Sequence, residues 1–291
     1  MDGFLNILKP AGMTSHDVVS VLRRIYPGEK IGHCGTLDPN AAGVLPVGVG
    51  RGVKFSQWLL KDKKTYIAKI NFGKKTETMD CYGEVIRTSY INDFSDDKLN
   101  EVLNSFLGNQ MQIPPKYSAL KIGGKKMYQL ARKGMEISDI PSRNIIIYDI
   151  SLIQRTTNKI MIKVTCSAGT YIRTLAEDIG KKLNNDAYLG LLIRVRSGDF
   201  KIEDSFTPEE IKDGKSSIIC IEDALNRFPK YMITEGYKHY INGLKIKIRD
   251  FTGENGIYRV YDKYHNFIGL GEISAVSGDF FLKNIKQVNI H

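Results

Sequence analysis

The sequence predicts an α+β protein with two domains. Segments that alternate like strands and segments with helical periodicity follow one another without regular βαβ order. This favours a mixed, mainly antiparallel sheet with flanking helices. Near Phe228 the pattern changes to short alternating segments with turns, which predicts a small β-rich domain. The length of 291 residues suffices for one large and one smaller domain. We therefore predict domains at residues 1–228 and 229–291.

The first elements follow from capping and alternation. In "MTSHDVVSVLRRIY", Thr14 and Asp17 have the spacing of a capping box before an apolar helical stripe. A loop rich in glycine and proline follows, and residues 51–60 then predict a short helix. In "KTYIAKINFG", Tyr66 alternates with apolar residues on one face, which predicts a strand.

The next elements contain further candidate residues. "SDDKLNEVLNSFLG" predicts a helix capped by Ser95. "NKIMIKVTCSAGTYIRTLAEDIG" predicts a strand, a turn and a helix, with Thr170 as the helix cap. Tyr171 and Arg173 then lie in the first helical turn, beside the end of a strand.

Composition excludes several classes of protein. The four cysteines are scattered without a CxxC pair or clustered histidines, so we expect reduced thiols rather than disulfides or a zinc site. The first residues lack the basic and apolar segments of a signal peptide. No apolar run approaches the length of a membrane span, so we expect no membrane partner and a cytoplasmic protein.

The charge indicates a polyanionic partner. The net charge is +10, and residues 114–143 contain seven lysines and arginines against two acidic residues. Tyr117 and Tyr128 are interleaved among them, a pattern suited to phosphates and unstacked bases. The alternative for this stretch is a solvated, partly helical surface loop.

One acidic residue stands out in "GHCGTLDPNAAGVLP", residues 32–46. Asp38 is the single acid in a stiff segment of glycines, prolines and small residues. An aspartate before proline commonly starts a turn, so a structural role is one reading. Loops also often carry functional residues, and the second reading is a reactive carboxylate.

Several blocks occur together, in chain order: "LKPAGMTSHDVV", "GHCGTLDPNAAGVLP", "KTYIAKINFGKKTETMDCYG", "PPKYSALKIGGKKMYQLARKG", "CSAGTYIRTLAEDIG" and "LIRVRSGDF". With this order and spacing, the sequence resembles the bacterial tRNA pseudouridine-55 synthases, the TruB family. The resemblance is close over residues 4–205 and looser in the C-terminal tail. It implies isomerisation of a T-loop uridine of tRNA to pseudouridine, with no cofactor and no metal.

The resemblance implies three catalytic residues. Asp38 matches the family's catalytic aspartate, a nucleophile that attacks either the sugar carbon or C6 of the base. Arg173 matches the arginine that pairs with this aspartate and keeps it ionised and oriented. Tyr66 matches the tyrosine that stacks on the target base and is proposed to move a proton. The alternatives are an exposed helix arginine and a core tyrosine.

Five further positions match family residues at the substrate site. His33 is expected to fill the space that the flipped base leaves, and Tyr171 and Leu192 to line the uracil pocket. Asp80 matches an acid near the site, and Lys9 is expected to support the loop. A flipped base costs a few kcal/mol to extract, which explains why the site needs such residues.

The resemblance also implies partners. The basic stretch 114–143 resembles the bacterial thumb insertion that closes over the T-loop, which argues for an enzyme without guide RNA. Residues 229–291 resemble a reduced PUA domain that touches the acceptor stem. No dimer surface is evident in the sequence, so a monomer is the default expectation.

The sequence departs from the family pattern at three positions. Ile193 and Val195 stand in the block that usually reads Leu-Arg-Arg-Thr, and Tyr188 stands where a histidine is usual. Two other functions stay open: a non-catalytic tRNA-binding or tRNA-folding module, and a related synthase acting on another RNA. Both would bind RNA with strong salt dependence, so only the chemistry separates them.

Overall fold

Two main β-sheets and two small hairpins organise the chain. The computed structural model describes residues 1–118, 120–122, 125–127, 140–215, 217–249 and 251–288. The strands of the first 201 residues are β1 (Gly3–Lys9), β2 (Ile31–His33), β3 (Ala42–Val49), β4 (Lys64–Phe72), β5 (Lys74–Thr76), β6 (Val85–Thr88), β7 (Gly108–Gln112), β8 (Lys121–Ile122), β9 (Lys125–Lys126), β10 (Arg143–Thr156), β11 (Lys159–Cys166), β12 (Ala187–Ser197) and β13 (Phe200–Lys201). The later strands are β14 (Lys230–Met232), β15 (Ile246–Ile248), β16 (Gly256–Tyr261), β17 (Phe267–Val276) and β18 (Asp279–Gln287).

Helices connect and cover these strands. In the described part of the chain, the α-helices are α1 (Ser15–Ile25), α2 (Ser56–Leu60), α3 (Asp96–Asn104), α4 (Ile172–Lys182), α5 (Pro208–Lys212), α6 (Ile221–Ala224) and α7 (Tyr237–Ile241). Short 3₁₀ helices cover Gly50–Phe55 and Ile202–Asp204. The helix predicted at residues 51–60 is therefore a 3₁₀ turn that continues into α2.

The large sheet has the strand order β1-β3-β12-β4-β11-β10-β7, with β2 added beside β3 and β13 beside β12. Its pairs are antiparallel except for β12 with β3, which is parallel. The second sheet has the order β14-β16-β17-β18-β15 and is antiparallel except for β14 with β16. These sheets confirm the predicted α+β class with a mixed, mainly antiparallel sheet and a small β-rich unit.

The alternation predicted for β4 is confirmed. Ala68, Ile70 and Phe72 are buried on one face, against a cluster that includes residues of α3 and α4. Tyr66 is half-buried on the same face and packs against this cluster. Burial of this apolar face is what fixes the strand's register, because a shift by one residue would expose it.

Local capping predictions have mixed outcomes. Thr14 and Asp17 form the predicted capping box of α1, with the Thr14 hydroxyl accepting from the Asp17 amide at 3.0 Å. Ser95 caps α3 as predicted. The prediction for Thr170 is wrong. The N-cap of α4 is Tyr171, and the Thr170 hydroxyl instead donates to the carbonyl of Ser167, three residues back in the turn.

A hydrophobic cluster joins the two sheets. It contains Phe4, Trp58 and Phe200 from the part of the chain that forms the large sheet, and Leu270 from β17. Arg259 of β16 adds polar contacts, donating to the carbonyls of Phe228 at 2.9 Å and Asn226 at 3.0 Å. The β-rich unit is thus packed on the larger one through a common core.

Half of the predicted basic thumb lies outside the described residues. Within 114–143, the residues outside the description are 119, 123–124 and 128–139, and they include Tyr128. The described part contains the β8–β9 hairpin and the root of the segment at Tyr117. No helix in the described part of the chain is long and apolar enough to cross a bilayer.

Candidate active site

Asp38 lies in the loop between β2 and β3, and its side chain is 42% exposed. Ser15, at the start of α1, holds the preceding residue of this loop. Its hydroxyl accepts from the Leu37 amide at 2.9 Å and lies 3.2 Å from the Leu37 carbonyl oxygen. The carboxylate is therefore accessible, while the backbone that carries it is fixed.

Lys9 supports the Asp38 loop through hydrogen bonds of its side chain. It ends β1 and is fully buried, and its Nζ donates to the carbonyls of Met13 at 2.6 Å, Pro10 at 2.9 Å and Pro39 at 3.0 Å. Burial lowers the pKa of Lys9 to about 8, against the opposing effect of the Asp38 charge. Lys9 thus connects the turn after β1 to the residue that follows Asp38.

Arg173 holds the Asp38 carboxylate by both oxygens. Its Nε lies 2.9 Å from Oδ2, and its Nη2 donates to Oδ1 at 3.2 Å. The Arg173 side chain is only 7% exposed, in the first turn of α4, while that of Asp38 opens to solvent. This two-point contact sets the orientation of the carboxylate.

Arg173 also contacts two other segments. Its Nη2 donates to the carbonyl of Tyr117 at 3.0 Å, and its Nη1 donates to the carbonyl of Thr78 at 3.3 Å. The Nη1 lies 3.8 Å from Oδ2 of Asp80. One guanidinium therefore joins the Asp38 loop, the β5–β6 hairpin and the root of the basic segment.

Asp80 is held differently from Asp38. Its Oδ1 accepts from the Thr78 hydroxyl at 2.6 Å and from the Tyr82 amide at 3.1 Å. Its side chain is 19% exposed. The Asp80 carboxylate is thus occupied within its own turn, and it faces Arg173 across a longer distance.

A cleft brings four of the predicted residues together. Asp38, Asp80, Arg173 and Leu192 line it, and the other lining residues are Ala11, Asn40, Ala41, Cys81, Tyr82, Leu189, Gly190 and Leu191. A larger surface cleft of ≈ 910 Å³ is lined by Ser89, Tyr90, Ile91, Asp93, Asp96, Leu152, Arg155, Thr156 and Thr157. The larger cleft contains none of the predicted site residues, so the smaller one is the candidate site.

Tyr66 lies beside this region on β4, opposite Arg194 of β12 in the strand register. Burial raises the pKa of the Tyr66 phenol, and the Asp38 charge raises it further. The Arg194 guanidinium acts in the opposite direction. The phenol is consequently neutral at physiological pH.

His33 is the last residue of β2 and is half-buried. Its Nδ1 is buried and makes no hydrogen bond within the described structure. Burial lowers the pKa of His33, and the charges of Arg194 and His16 lower it further. The imidazole is therefore neutral near pH 7.

Tyr171 is held by its backbone. Its amide donates to Oε1 of Gln112 at 2.8 Å, and its carbonyl accepts from Nε2 of Gln112 at 3.0 Å. Gln112 ends β7, so this paired contact fixes the start of α4 against the sheet. It also fixes the turn from which Arg173 projects.

The three positions at which the sequence departs from the family pattern lie on β12. Ile193 is partly buried and lies in register between Ile67 of β4 and Ala42 of β3. Tyr188 lies in register with Asn71 of β4. The structure gives no further contact that explains these two residues or Val195.

Sequence reasoning missed Arg194. Its side chain is fully buried, with Nε donating to the carbonyl of Val44 at 2.7 Å and Nη2 to that of Gly35 at 3.2 Å. The available signal was its position in β12, two residues after Leu192, on the side of the strand that alternation assigns to the interior.

The described residues contain no group of three His, Cys, Asp or Glu side chains able to hold a metal ion. All four cysteines are free thiols, with Cys34 and Cys166 buried. Burial raises the pKa of each of these two thiols to about 11, so neither is a reactive thiolate.

Comparisons with known proteins identify the family of this chain. A family model described as TruB family pseudouridylate synthase (N terminal domain) matches residues 23–172. The "tRNA pseudouridine synthase B" of Caldanaerobacter subterraneus subsp. tengcongensis is 45% identical over 273 residues, covering 93% of this chain and 95% of the relative. The protein of the same name from Clostridium kluyveri is 43% identical, covering 98% of this chain and 99% of the relative.

A solved structure shares the fold. A chain of the crystal structure of a Cbf5-Nop10-Gar1 complex superposes with a TM-score of 0.74 at 26% identity, covering 98% of this chain and 84% of that chain. The match therefore includes both sheets. With a family model over half of the chain and relatives above 40% identity over nearly all of it, this protein belongs to the TruB family of pseudouridylate synthases.

Proposed function

We propose that this chain isomerises the T-loop uridine at position 55 of tRNA to pseudouridine, with Asp38 as the nucleophile. One observation carries the assignment of the nucleophile: an accessible Asp38 carboxylate is held at both oxygens by the buried Arg173. The reaction and the tRNA substrate follow from the family and from relatives named tRNA pseudouridine synthase B.

The reaction balances without a co-reactant. The Asp38 carboxylate adds to the sugar carbon or to C6 of the base, and the bond between N1 and the sugar carbon breaks. The uracil turns, and its C5 forms a bond to the same sugar carbon. The proton lost from C5 is balanced by a proton gained at N1, and release of the carboxylate restores the enzyme.

The two carboxylates of the cleft differ in their fitness to attack. Among the described residues, Asp38 bonds only to Arg173 through its carboxylate oxygens, and its side chain is 42% exposed. Asp80 accepts two hydrogen bonds within its own turn and is 19% exposed. Asp38 therefore has the free lone pairs and the access that a nucleophile needs, and Asp80 serves to orient Arg173.

Tyr66 is proposed to stack on the uracil and to move a proton during rearrangement. Its phenol is neutral, because burial raises its pKa, so stacking adds no negative charge near Asp38. Leu192 and Tyr171 supply apolar contacts to the uracil, and His33 fills the space that the flipped base leaves. Removal of the base from the stack costs a few kcal/mol, which these contacts offset.

The positive charge of the chain supports RNA as its binding partner. The net charge of +10 attracts the phosphate backbone, and Tyr117, near the start of the basic segment 114–143, contacts Arg173 of the site through its carbonyl. We propose that this segment contacts the T-loop and that residues 229–291 contact the acceptor stem. The chain is proposed to act as a monomer without a guide RNA.

The test uses an unmodified tRNA transcript with tritium at C5 of uridine. Wild-type protein should release tritium from one T-loop position, and Asp38→Asn should lower the single-turnover rate by at least about 10³-fold while tRNA binding persists. Asp199→Asn is the matched control, because this side chain is similarly exposed (49%) and paired with an arginine, Arg196, outside the cleft. It should retain full activity.

Two results would contradict the proposal. Tritium release by Asp38→Asn at the wild-type rate would remove Asp38 from the chemistry. Binding of tRNA by the wild type without any tritium release would instead leave an RNA-binding module, or a synthase for another RNA. Tritium release from other unmodified RNA transcripts, labelled in the same way, separates these last two outcomes.

A further inference from the structure

A second buried arginine lies beneath the Asp38 loop and plays no part in the chemistry described above. Arg194, on β12, is among the largest fully buried side chains of the described residues, with 1% of its surface exposed. A buried cation is costly unless it is paired or fully hydrogen-bonded. The presence of a buried guanidinium at this position therefore requires an explanation.

The partners of Arg194 are backbone carbonyls. Its Nε donates to Val44 at 2.7 Å, its Nη2 to Gly35 at 3.2 Å and its Nη1 to Thr36 at 3.4 Å. Within the described ranges, no carboxylate lies within ion-pair distance of it. The guanidinium is thus satisfied by dipoles of the chain segment that contains Asp38.

These carbonyls lie on both sides of Asp38. Gly35 and Thr36 precede it, and Val44 follows it at the start of β3. Backbone packing reinforces the arrangement at Gly43, whose φ is +113° and where a Cβ would lie 2.2 Å from the Arg194 carbonyl oxygen. Side chain and main chain of Arg194 together hold the two ends of the loop at a fixed separation.

Arg194 also acts on Tyr66. The two residues lie opposite each other on the paired strands β12 and β4. The guanidinium charge opposes the effect of burial on the pKa of the phenol. One residue therefore contacts the loop of the candidate nucleophile and lies in register with the candidate proton carrier.

We propose that Arg194 is a positioning residue that holds the Asp38 loop in one fixed geometry beside Tyr66 for catalysis. The inference rests on the proposed function, and it adds a residue that acts through Asp38 and Tyr66 without touching the substrate. Arginine suits this role better than lysine, because its planar fork presents donors in several fixed directions.

The test compares Arg194→Lys and Arg194→Met with wild type in the tritium assay, well below the melting temperature. We expect Arg194→Met to lower the single-turnover rate at saturating tRNA by about 10²-fold, because a displacement of about 1 Å costs that much. Arg194→Lys should recover part of the rate. The dissociation constant for tRNA should stay within about threefold of wild type in both variants.

Arg196→Met is the matched control. Arg196 lies two residues further along the same strand and also donates its Nε to a carbonyl at 2.7 Å, but that carbonyl belongs to Gly198 and the side chain is exposed. Its saturating rate should stay within about twofold of wild type.

The outcomes are distinguishable. A folded Arg194→Met variant with the wild-type rate would overturn the positioning role. Failure of both Arg194 variants to fold would also overturn it, because Arg194 would then be a requirement of the fold. An inactive wild type would instead contradict the proposed function itself.

Discussion

The guanidinium of Arg173 donates from Nε and Nη2 to Asp38, from Nη1 to Thr78 and from Nη2 to Tyr117. A lysine at this position would carry the same charge on a single nitrogen, which can neither hold a carboxylate at two oxygens nor keep fixed directions to two carbonyls. The geometry at this residue therefore depends on the shape of the cation as well as its charge.

His33 gives a prediction for pH. Its pKa is lowered in the folded state by burial and by the nearby Arg194 and His16 side chains, whereas in the unfolded chain it takes up a proton near the ordinary value of 6.5. The unfolded state then binds more protons as the pH falls below 6.5, so stability should be lost there. We expect His33→Gln to reduce this loss between pH 7.5 and about 5.5 in urea unfolding.

His239→Gln serves as the control for this measurement. His239 lies on α7 and is exposed, so its replacement should leave the pH dependence of stability unchanged. Equal slopes for wild type and His33→Gln over this pH range would show that the buried imidazole does not couple protonation to folding.

The β5–β6 hairpin is fastened to α4 by an ion pair. Lys75 donates to Glu177 Oε1 at 2.7 Å, and Glu177 lies one turn after Arg173 on the same helix. Glu177 is buried, with Oε2 unpaired among the described residues. The pair thus holds the hairpin that supplies Thr78 and Asp80 to Arg173.

We expect Lys75→Met to destabilise the protein by about 1–3 kcal/mol, because a buried carboxylate loses a partner. The tritium-release rate should fall by about tenfold as the Thr78 and Asp80 contacts loosen. Lys74→Met changes the exposed neighbour on the same strand and should alter neither quantity. Equal stabilities of the two variants in urea unfolding would show that the ion pair does not hold the hairpin.

Elements defined by near neighbours were predictable from the sequence. The capping box of α1 and the alternation of β4 depend on residues a few positions apart, and both are confirmed. The position of β12 was not predictable. It lies between β3 and β4, parallel to one and antiparallel to the other, and such pairing depends on contacts distant in sequence.

The candidate site, like the fold, was predictable from the sequence only in part. Asp38 and Arg173 were identified from their motifs, and the structure places them in contact across 135 positions of sequence. The roles of Tyr117 and Thr78 depend on their backbone carbonyls, which no side-chain pattern reveals. Arg194 was missed because an arginine in a strand is usually exposed, so its burial becomes evident only once β12 is placed in the sheet.

At the scale of the whole molecule, one hydrophobic cluster spans both sheets. Trp58, the only tryptophan, is buried in the same cluster as Leu270 of β17. We expect Leu270→Ala to lower the free energy of unfolding by about 2–5 kcal/mol, because it leaves a cavity in this cluster. Unfolding followed by Trp58 fluorescence and by far-UV circular dichroism should shift together, as in one cooperative transition.

Leu282→Ala provides the comparison, because this equally buried leucine belongs to the cluster within the second sheet. If the two units unfold as one, both variants shift the Trp58 transition. An early loss of circular dichroism with Trp58 fluorescence unchanged would mean that the β-rich unit unfolds independently.

The joint cluster restricts how the C-terminal unit can evolve. A replacement domain grafted near residue 229 would need to fill the apolar socket that contains Phe4, Phe200 and Cys34. Cys34 is the first residue of the loop that contains Asp38, and it belongs to the same cluster as Leu270 of β17. A substitution in β17 would therefore change the packing of a residue four positions before the candidate nucleophile. The C-terminal unit is therefore part of the packing that shapes the loop of Asp38, and not an independent attachment.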